Sequence, residues 1–189
     1  MSKLRLIPKL QLKPASYNSN KLVLVVTKQF DNIIEIGDPV SQSKIFQDQV
    51  SDELIFINID SKNRQEISSL AKIISEVSEE IFMPLTVGGG VTSIEDFRLL
   101  LNNGADKISI NSAAISNPDL IRIAAEKFGS QCVVVSIDFK KDENNKYFVY
   151  TNGGLNKTSY DPIEWALIAQ RYGAGELLLT SISHDGMKN

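Results

Sequence analysis

The chain has 189 residues, of which 42% are hydrophobic and 23% are charged, and its formal net charge is −3. A chain of this size and composition is expected to form a single domain, residues 1–189, with a sizeable core. Its Lys and Arg residues are dispersed, which argues against a nucleic-acid partner. Residues 1–12 contain neither a long apolar stretch nor a small-residue cleavage site, so we expect no signal peptide and no membrane span. The single cysteine, Cys132, excludes an internal disulfide and predicts a buried small hydrophobe in a reduced, cytoplasmic compartment.

Short apolar runs alternate with helical patterns in chain order. Strands are predicted at residues 4–12, 54–59, 82–87, 107–110, 132–139 and 176–182, with hairpin arms at 22–27 and 147–151. Helices are predicted to begin at Asp38-Pro39, Asn117-Pro118 and Asp161-Pro162, where Asp or Asn can cap and Pro fits the first helical position. Two more helices are predicted from apolar spacing after residue 66 and from a capping pattern at Ser93. In the first helix, the apolar face is expected to consist of Ile45, Phe46 and Val50.

Six repeats of strand and helix predict an α/β protein with a parallel sheet and helices outside. The sequence also contains an internal repeat, because the first and fifth predicted strands are each followed by a polar, hairpin-like insertion. Two units of four strands would make the closed eight-stranded barrel. We therefore predict an incomplete (β/α) TIM-type barrel with about six βα units of an expected eight, lacking the last two strands.

Glycines and small polar residues follow two neighbouring predicted strands. In such barrels the active site lies at the carboxyl ends of the strands. The glycines at 88–90 would let backbone N–H groups approach an anion, and Asn111 and Ser112 would add an amide and a hydroxyl one strand over. This pattern predicts a phosphate cradle that includes Gly89 and Gly90. The alternative is a tight glycine turn and a helix-capping Asn-Ser pair.

Acidic residues follow the fifth and sixth predicted strands. Asp138 ends an apolar run and is a candidate general acid or base, although a strand-end Asp can equally cap the next turn. Asp185-Gly186 is most simply a turn. His184, the only histidine, is expected to be solvated rather than catalytic.

Four charged residues stand at the beginning of predicted strands: Arg5, Glu53, Lys107 and Glu176. Two positive and two negative side chains could meet in a ring at the amino ends of the strands. The ring could be an ion-pair plug that closes the barrel floor, or it could be a gate.

Four stretches of the chain together resemble HisF, the cyclase subunit of imidazole glycerol phosphate synthase, and less closely its relative HisA. They are residues 82–90, 104–114, 128–138 and 173–182. The resemblance implies a HisH-like glutaminase partner that releases ammonia at the amino-terminal face of the barrel. Ammonia then crosses the barrel and attacks a phosphorylated ribotide, giving imidazole glycerol phosphate and aminoimidazole carboxamide ribotide. No metal or organic cofactor is implied.

The resemblance also implies roles for individual residues. Arg5, Glu53, Lys107 and Glu176 match the salt-bridge ring at the ammonia entrance of the family. The matching phosphate site consists of Gly90, Asn111 and Ser112, while Asp138 matches one of two catalytic aspartates and Asp185 matches an acidic residue after the sixth strand.

The chain departs from the family pattern at two strand ends. Gln11 stands where the other catalytic Asp is expected, and Asn58 stands where a strand-end Asp is expected. An amide cannot exchange a proton at neutral pH, so the change at residue 11 should cost about 10²–10⁴ in rate. We therefore predict that this chain alone will not turn over the histidine-pathway ribotide with ammonia at a rate within a few-fold of a full-length cyclase.

Three functions remain open at this point. The first is a HisF-type subunit of histidine biosynthesis. The second is a HisF-like paralogue in surface-polysaccharide biosynthesis, where ammonia converts an acetamido group of a sugar to an acetamidino group; Gln11 and Asn58 favour it. The third is a catalytically incompetent fragment, or half of a split assembly, whose exposed strand edges would pair with another chain.

Overall fold

A computed structural model describes residues 4–60 and 64–187. In this part of the chain the strands are β1 (Lys9–Ala15), β2 (Asn18–Lys28), β3 (Asp31–Gly37), β4 (Leu54–Asn58), β5 (Leu85–Gly88), β6 (Lys107–Ile110), β7 (Val133–Lys141), β8 (Tyr147–Thr151), β9 (Asn156–Lys157) and β10 (Glu176–Ser181). The α-helices are α1 (Pro39–Asp48), α2 (Arg64–Ser78), α3 (Ile94–Asn102), α4 (Ser112–Ser116), α5 (Asp119–Phe128) and α6 (Pro162–Tyr172). The alternation of strands and helices confirms the predicted α/β class.

The chain folds as two compact units. The first takes in residues up to Val26 together with Glu35–Val91 and Glu95–Ile108, and the second takes in Thr27–Ile34, Thr92–Ile94 and the residues from Ser109 onward.

Parallel strands form the sheet of the first unit. Strand β1 pairs in parallel with β4, and β4 pairs in parallel with β5, while β2 folds back antiparallel on the other edge of β1. Gln11 is in register with Ile57, and Ile57 is in register with Gly88. Strand β4 is almost wholly buried, as its apolar sequence predicts for a strand covered on both faces.

Strand β7 is the centre of the second unit. It pairs in parallel with β10 on one side and antiparallel with β8 on the other, and β8 pairs with β9. Helix α6 packs against β7 and β8 and buries Trp165 and Ala169. The antiparallel arms that follow β1 and β7 confirm the two predicted hairpin insertions.

The predicted helix starts are confirmed where a side chain caps the helix. Asp38 accepts a hydrogen bond from the backbone N–H of Ser41 at 2.8 Å, with Pro39 in the first turn of α1. Asp161 does the same for α6 through the N–H of Ile163 at 2.8 Å. Each carboxylate satisfies a backbone donor that has no partner within the helix.

The structure corrects two strand boundaries. The strand predicted from residue 4 begins at Lys9, and the strand predicted from residue 82 begins at Leu85. A proline precedes each true start, Pro8 and Pro84, and proline has no N–H to donate to a strand ladder.

The structure also corrects the apolar face of α1 and the burial of the cysteine. Ile45 is 46% exposed and Val50 is 83% exposed, whereas the helix buries Pro39 and Ser43. Val50 lies beyond the end of the helix at a φ of 59°, so helical spacing does not apply to it. Cys132 is partly exposed because it ends a 3-10 turn before β7 instead of lying inside the strand.

Candidate active site

A carboxylate and an amide meet in the second unit. Asp138 lies near the carboxyl end of β7, and Asn111 follows β6 directly. The Asn111 side-chain amide donates a hydrogen bond from Nδ2 to Oδ2 of Asp138 at 2.6 Å. The Asn111 side chain does not cap α4, so the capping alternative is not supported for this residue. The other amide atom, Oδ1, is buried and has no hydrogen-bond donor among the described residues.

Strand register shows which side chains share a face with Asp138. Its partner on β10 is Thr180 and its partner on β8 is Tyr150, and paired residues of neighbouring strands point to the same face. Both partners are buried, at 8% and 7% exposure. Lys140 is two residues further along β7, so it lies on this face too, and its Nζ is 4.4 Å from the centre of the Tyr150 ring. The sequence did not single out Tyr150 or Lys140, because only cross-strand pairing brings them together.

A glycine-containing turn lies beside these residues. Between β8 and β9, the backbone N–H of Asn152 donates to Oγ of Ser112 at 3.0 Å. Lys140 donates from Nζ to the carbonyl oxygen of Gly154 at 3.3 Å. Ser112 therefore uses an acceptor site of its hydroxyl to hold the turn, and its O–H can still donate to a ligand.

The predicted glycine loop follows β5 in the first unit. Gly89 and Gly90 have φ angles of 99° and 74°, which favour glycine. A Cβ at Gly89 would lie 2.0 Å from the carbonyl oxygen of Asn58. Close packing against the end of β4 thus explains this glycine without a ligand. Because Asn111 and Ser112 belong to the second unit, a cradle that combines them with Gly89 and Gly90 stays a prediction.

The two departures from the family pattern lie on opposite faces of the sheet in the first unit. Leu12 is in register with Asn58, and Gln11 is in register with Ile57. Successive residues of a strand point to opposite faces, so Asn58 shares the face of fully buried Leu12, and Gln11 points the other way. Asn58 is only 3% exposed. Its amide therefore belongs to the packing behind the strand and not to the face that carries Gln11.

Asp185 organises a turn in the second unit. Its carboxylate accepts hydrogen bonds from Oγ1 of Thr27 at 2.6 Å and from the backbone N–H of Phe30 at 3.3 Å. A Cβ at Gly186 would lie 2.2 Å from the Thr27 carbonyl oxygen. These contacts tie the segment after β10 to the turn between β2 and β3 and fit the simpler reading of Asp185-Gly186 as a turn. His184 is exposed and shares a hydrogen bond of 2.8 Å with Ser181, as expected for a solvated histidine.

Three of the four predicted ring residues meet in the first unit. Glu53 is 5% exposed and forms ion pairs with Arg5 through Oε1 and with Lys107 through Oε2, the latter at 2.9 Å. Arg5 lies four residues before β1, and its segment is held by a hydrogen bond from the N–H of Leu6 to Oδ2 of Asp52 at 2.8 Å. Glu176 is the first residue of β10 in the second unit.

No helix in the described ranges is both long and apolar enough to span a membrane. Within residues 4–60 and 64–187, no three His, Cys, Asp or Glu side chains converge on a metal site.

Parallel strands joined by helices, with polar side chains at the strand ends, define an α/β protein of the kind that binds small molecules at the carboxyl ends of its strands. The chain matches the family described as "Histidine biosynthesis protein" over residues 5–189 and belongs to that family.

The chain is also similar to individual members of this family that are named as HisF subunits. The chain is 47% identical over 188 residues to a Prochlorococcus marinus (strain MIT 9313) protein named "Putative imidazole glycerol phosphate synthase subunit hisF2", covering 98% of this chain and 71% of the relative. It is 46% identical to the "Imidazole glycerol phosphate synthase subunit HisF" of Lactococcus lactis subsp. lactis (strain IL1403), over 97% of this chain and 68% of the relative. For the protein of that name in Dehalococcoides mccartyi (strain CBDB1), the identity is 50% over 83% of this chain and 61% of the relative. The chain thus spans about two thirds of the length of these relatives.

Proposed function

We propose that this chain acts as a HisF-type cyclase subunit of an imidazole glycerol phosphate synthase in histidine biosynthesis. The observation that carries the proposal is its identity of 46–50% with proteins named as HisF subunits. In the proposed reaction, ammonia attacks a ribotide that bears phosphate groups. Cleavage and ring closure then give imidazole glycerol phosphate and aminoimidazole carboxamide ribotide, without a metal or organic cofactor.

The proton-transfer step is assigned to Asp138. Its carboxylate is partly buried, accepts a hydrogen bond from Asn111 and shares a face with Thr180. A carboxylate held in this way can take a proton from the attacking ammonia or return one to the leaving group. Gln11 cannot share that work, so turnover is expected to be about 10²–10⁴ slower than with Asp at that position.

Ammonia is proposed to arrive from a HisH-like glutaminase at the amino ends of the strands. Support comes from the partly buried pairs of Glu53 with Arg5 and Lys107, which concentrate charge where the strands begin. In the second unit, Glu176 begins the strand face that continues through Leu178 to Thr180. That face is the face of Asp138, about 13 Å further along the strand at roughly 3.3 Å per residue.

The phosphate groups of the substrate are proposed to bind near the strand ends. Ser112 retains an O–H to donate, while Gly89 and Gly90 are proposed to offer backbone N–H groups. Asp185 and Gly186 are proposed to contact the substrate from the segment after β10. We infer a TIM-type barrel as the setting for these contacts and the cytoplasm as the compartment, because parallel strands alternate with helices and the single cysteine is free.

A second candidate function is the ammonia-dependent amidination of an acetamido sugar. The observation that favours it is Gln11, which points to the face opposite Asn58 and lacks the proton-exchanging carboxylate of the histidine-pathway reaction. Asn58 no longer adds weight to this alternative, because it is buried on the other face.

The two functions are separated by assaying both acceptors. The 189-residue chain is mixed with ammonia and either the ribotide or an acetamido sugar nucleotide, with the Lactococcus lactis HisF as reference. We expect slow conversion of the ribotide only, and we expect Gln11→Asp to raise that rate by about 10²-fold or more. Conversion of the sugar alone would favour the second function. No conversion of either acceptor by the wild-type chain or the Gln11→Asp variant would support the catalytically incompetent alternative.

A further inference from the structure

The two polar atoms of the Asn111 side-chain amide, Nδ2 and Oδ1, have different surroundings. Nδ2 donates to the Asp138 carboxylate at 2.6 Å. An ionised carboxylate offers only acceptor sites, so the NH₂ group is the end that must face it. This contact fixes the orientation of the amide and leaves Oδ1 on its other branch.

The Oδ1 end is a buried acceptor with no donor among the described residues. A buried carbonyl oxygen is stabilised only when it accepts a hydrogen bond. Near neutral pH a phosphate monoester is mostly a dianion, whose oxygens are acceptors as well. Two acceptors cannot bond to each other, so this end of Asn111 is chemically unsuited to bind phosphate.

The neighbouring residue has the opposite chemistry. Ser112 accepts the N–H of Asn152 at 3.0 Å and keeps its own O–H as a donor. The Ser112 side chain can therefore donate to a phosphate, whereas the Oδ1 end of Asn111 cannot contact one. The two residues are nevertheless adjacent in the chain and both belong to the predicted cradle.

We propose that Asn111 is a positioning residue for Asp138, and that its Oδ1 accepts a hydrogen bond from an N–H or O–H group of the substrate. The positioning role stands on the hydrogen bond itself. The substrate contact rests on the proposed function, since it requires that a substrate with such a donor binds beside Asp138. Through Oδ1, Asn111 thus contacts a donor group at the reacting end of the substrate and not its phosphate.

The positioning role is tested by NMR on the 189-residue chain, without any assay of activity. We expect one side-chain N–H proton of Asn111 to resonate downfield of the other Asn amides, and Asp138→Asn to move this signal. The control Glu143→Gln alters an exposed acidic residue of the hairpin turn and should leave the signal in place. An Asn111 signal that does not respond to Asp138→Asn would overturn the positioning role.

The choice between phosphate and a donor group is tested by titration with methyl phosphate at pH 8, where the monoester is a dianion that has no O–H to donate. Asn111→Ala should change the phosphate Kd by less than about twofold, whereas Ser112→Ala should weaken binding by about tenfold, as expected for loss of one hydrogen bond to a charged group. A tenfold weakening by Asn111→Ala would overturn the proposal. If the wild-type chain binds no phosphate, the proposed phosphate site fails, and the NMR result still decides the positioning role.

The substrate contact is tested by steady-state kinetics with the ribotide and ammonia. Asn111→Asp keeps an acceptor oxygen but replaces the NH₂ donor with a second carboxyl, which repels the Asp138 carboxylate or shares a proton with it. For this reason kcat should fall by about 100-fold with KM nearly unchanged. Asn111→Ala removes both ends, so KM should rise as well. Equal effects of the two variants on KM would contradict a substrate contact through Oδ1. Thermal unfolding of each variant shows whether it is folded.

Discussion

At the scale of single residues, the proposed proton transfer depends on Asp138. Its carboxylate is held by Asn111, and Thr180 and Tyr150 flank it on the neighbouring strands. The hydrogen bond from Asn111 holds the carboxylate in one geometry, which a proton-transfer group requires.

Replacing Asp138 with Asn should therefore abolish turnover of the ribotide with ammonia. An amide of the same shape cannot exchange a proton at neutral pH, so the expected loss is about 10²–10⁴ in kcat. The measurement is steady-state turnover, with Glu143→Gln as the control in an exposed part of the same hairpin. Unchanged kcat in the Asp138 variant would remove this residue from the mechanism.

Gly89 makes a second residue-scale prediction, about stability. Its φ is 99°, and a Cβ there would lie 2.0 Å from the carbonyl oxygen of Asn58. Gly153 has a φ of 64° but meets nothing within 4 Å, so it is a matched control. Gly153→Ala should cost about 1–2 kcal/mol from backbone conformation alone, and Gly89→Ala about 2–5 kcal/mol because the clash adds to it. Urea unfolding measures both, and equal costs would show that the contact with Asn58 is not the reason for the glycine.

At the scale of secondary structure, an ion pair between Lys157 and Asp142 stabilises the β7–β8 hairpin. Lys157 donates from Nζ to Oδ2 of Asp142 at 2.8 Å, and the N–H groups of Asn144 and Lys146 donate to Oδ1. The Lys157 hydrogen bond, aided by the two backbone bonds, holds the pKa of Asp142 below its ordinary value of 3.8.

This lowered pKa gives the hairpin a defined pH dependence. Because the pKa of Asp142 is lower in the folded state, the contact stabilises the hairpin fully above the ordinary pKa and is lost as pH falls through the lowered value. We expect the backbone amide signals of Asn144 and Lys146 to shift together over that acidic range. Asp142→Asn should remove the shift. A midpoint at or above the ordinary pKa of Asp would contradict the role of Lys157.

Short-range sequence patterns, such as helix caps, predicted secondary structure better than they predicted contacts between residues far apart in the chain. Asp38 and Asp161 act on backbone groups within three residues, so the sequence was sufficient to place their helices. Strand β3 is exposed at every residue and has no apolar alternation, and α4 has only five residues, too few for a helical period. Neither was predicted for that reason. Strand ends placed Asn111 and Asp138 in one region, but only the structure shows which amide atom meets the carboxylate.

At the scale of the whole molecule, each unit by itself carries charged side chains where its strands begin. In the first unit, charges gather where the strands begin, with Glu53 between Arg5 and Lys107. In the second unit, Glu176 begins β10, and Thr180 pairs with Asp138 near the other end. Each unit thus has charge at the strand starts and polar side chains at the strand ends. We expect charge at the strand starts if ammonia, as proposed, enters where the strands begin.

Lys107→Met tests this delivery. Removing the Lys107 ammonium leaves buried Glu53 paired with Arg5 and changes the charge at the proposed ammonia entrance. Ammonia added to the solution needs no entry from a glutaminase, so glutamine-dependent turnover should fall more than ammonia-dependent turnover. We expect the ratio of glutamine-dependent to ammonia-dependent turnover to fall by about tenfold, which corresponds to roughly 1.4 kcal/mol.

The measurement compares both rates in the complex with a HisH-type glutaminase. Lys44→Met is the control, because Lys44 forms an ion pair with Glu80 at 2.7 Å that is well exposed to solvent. Equal losses of the two rates in the Lys107 variant would show that the ion pairs of Glu53 with Arg5 and Lys107 are purely structural.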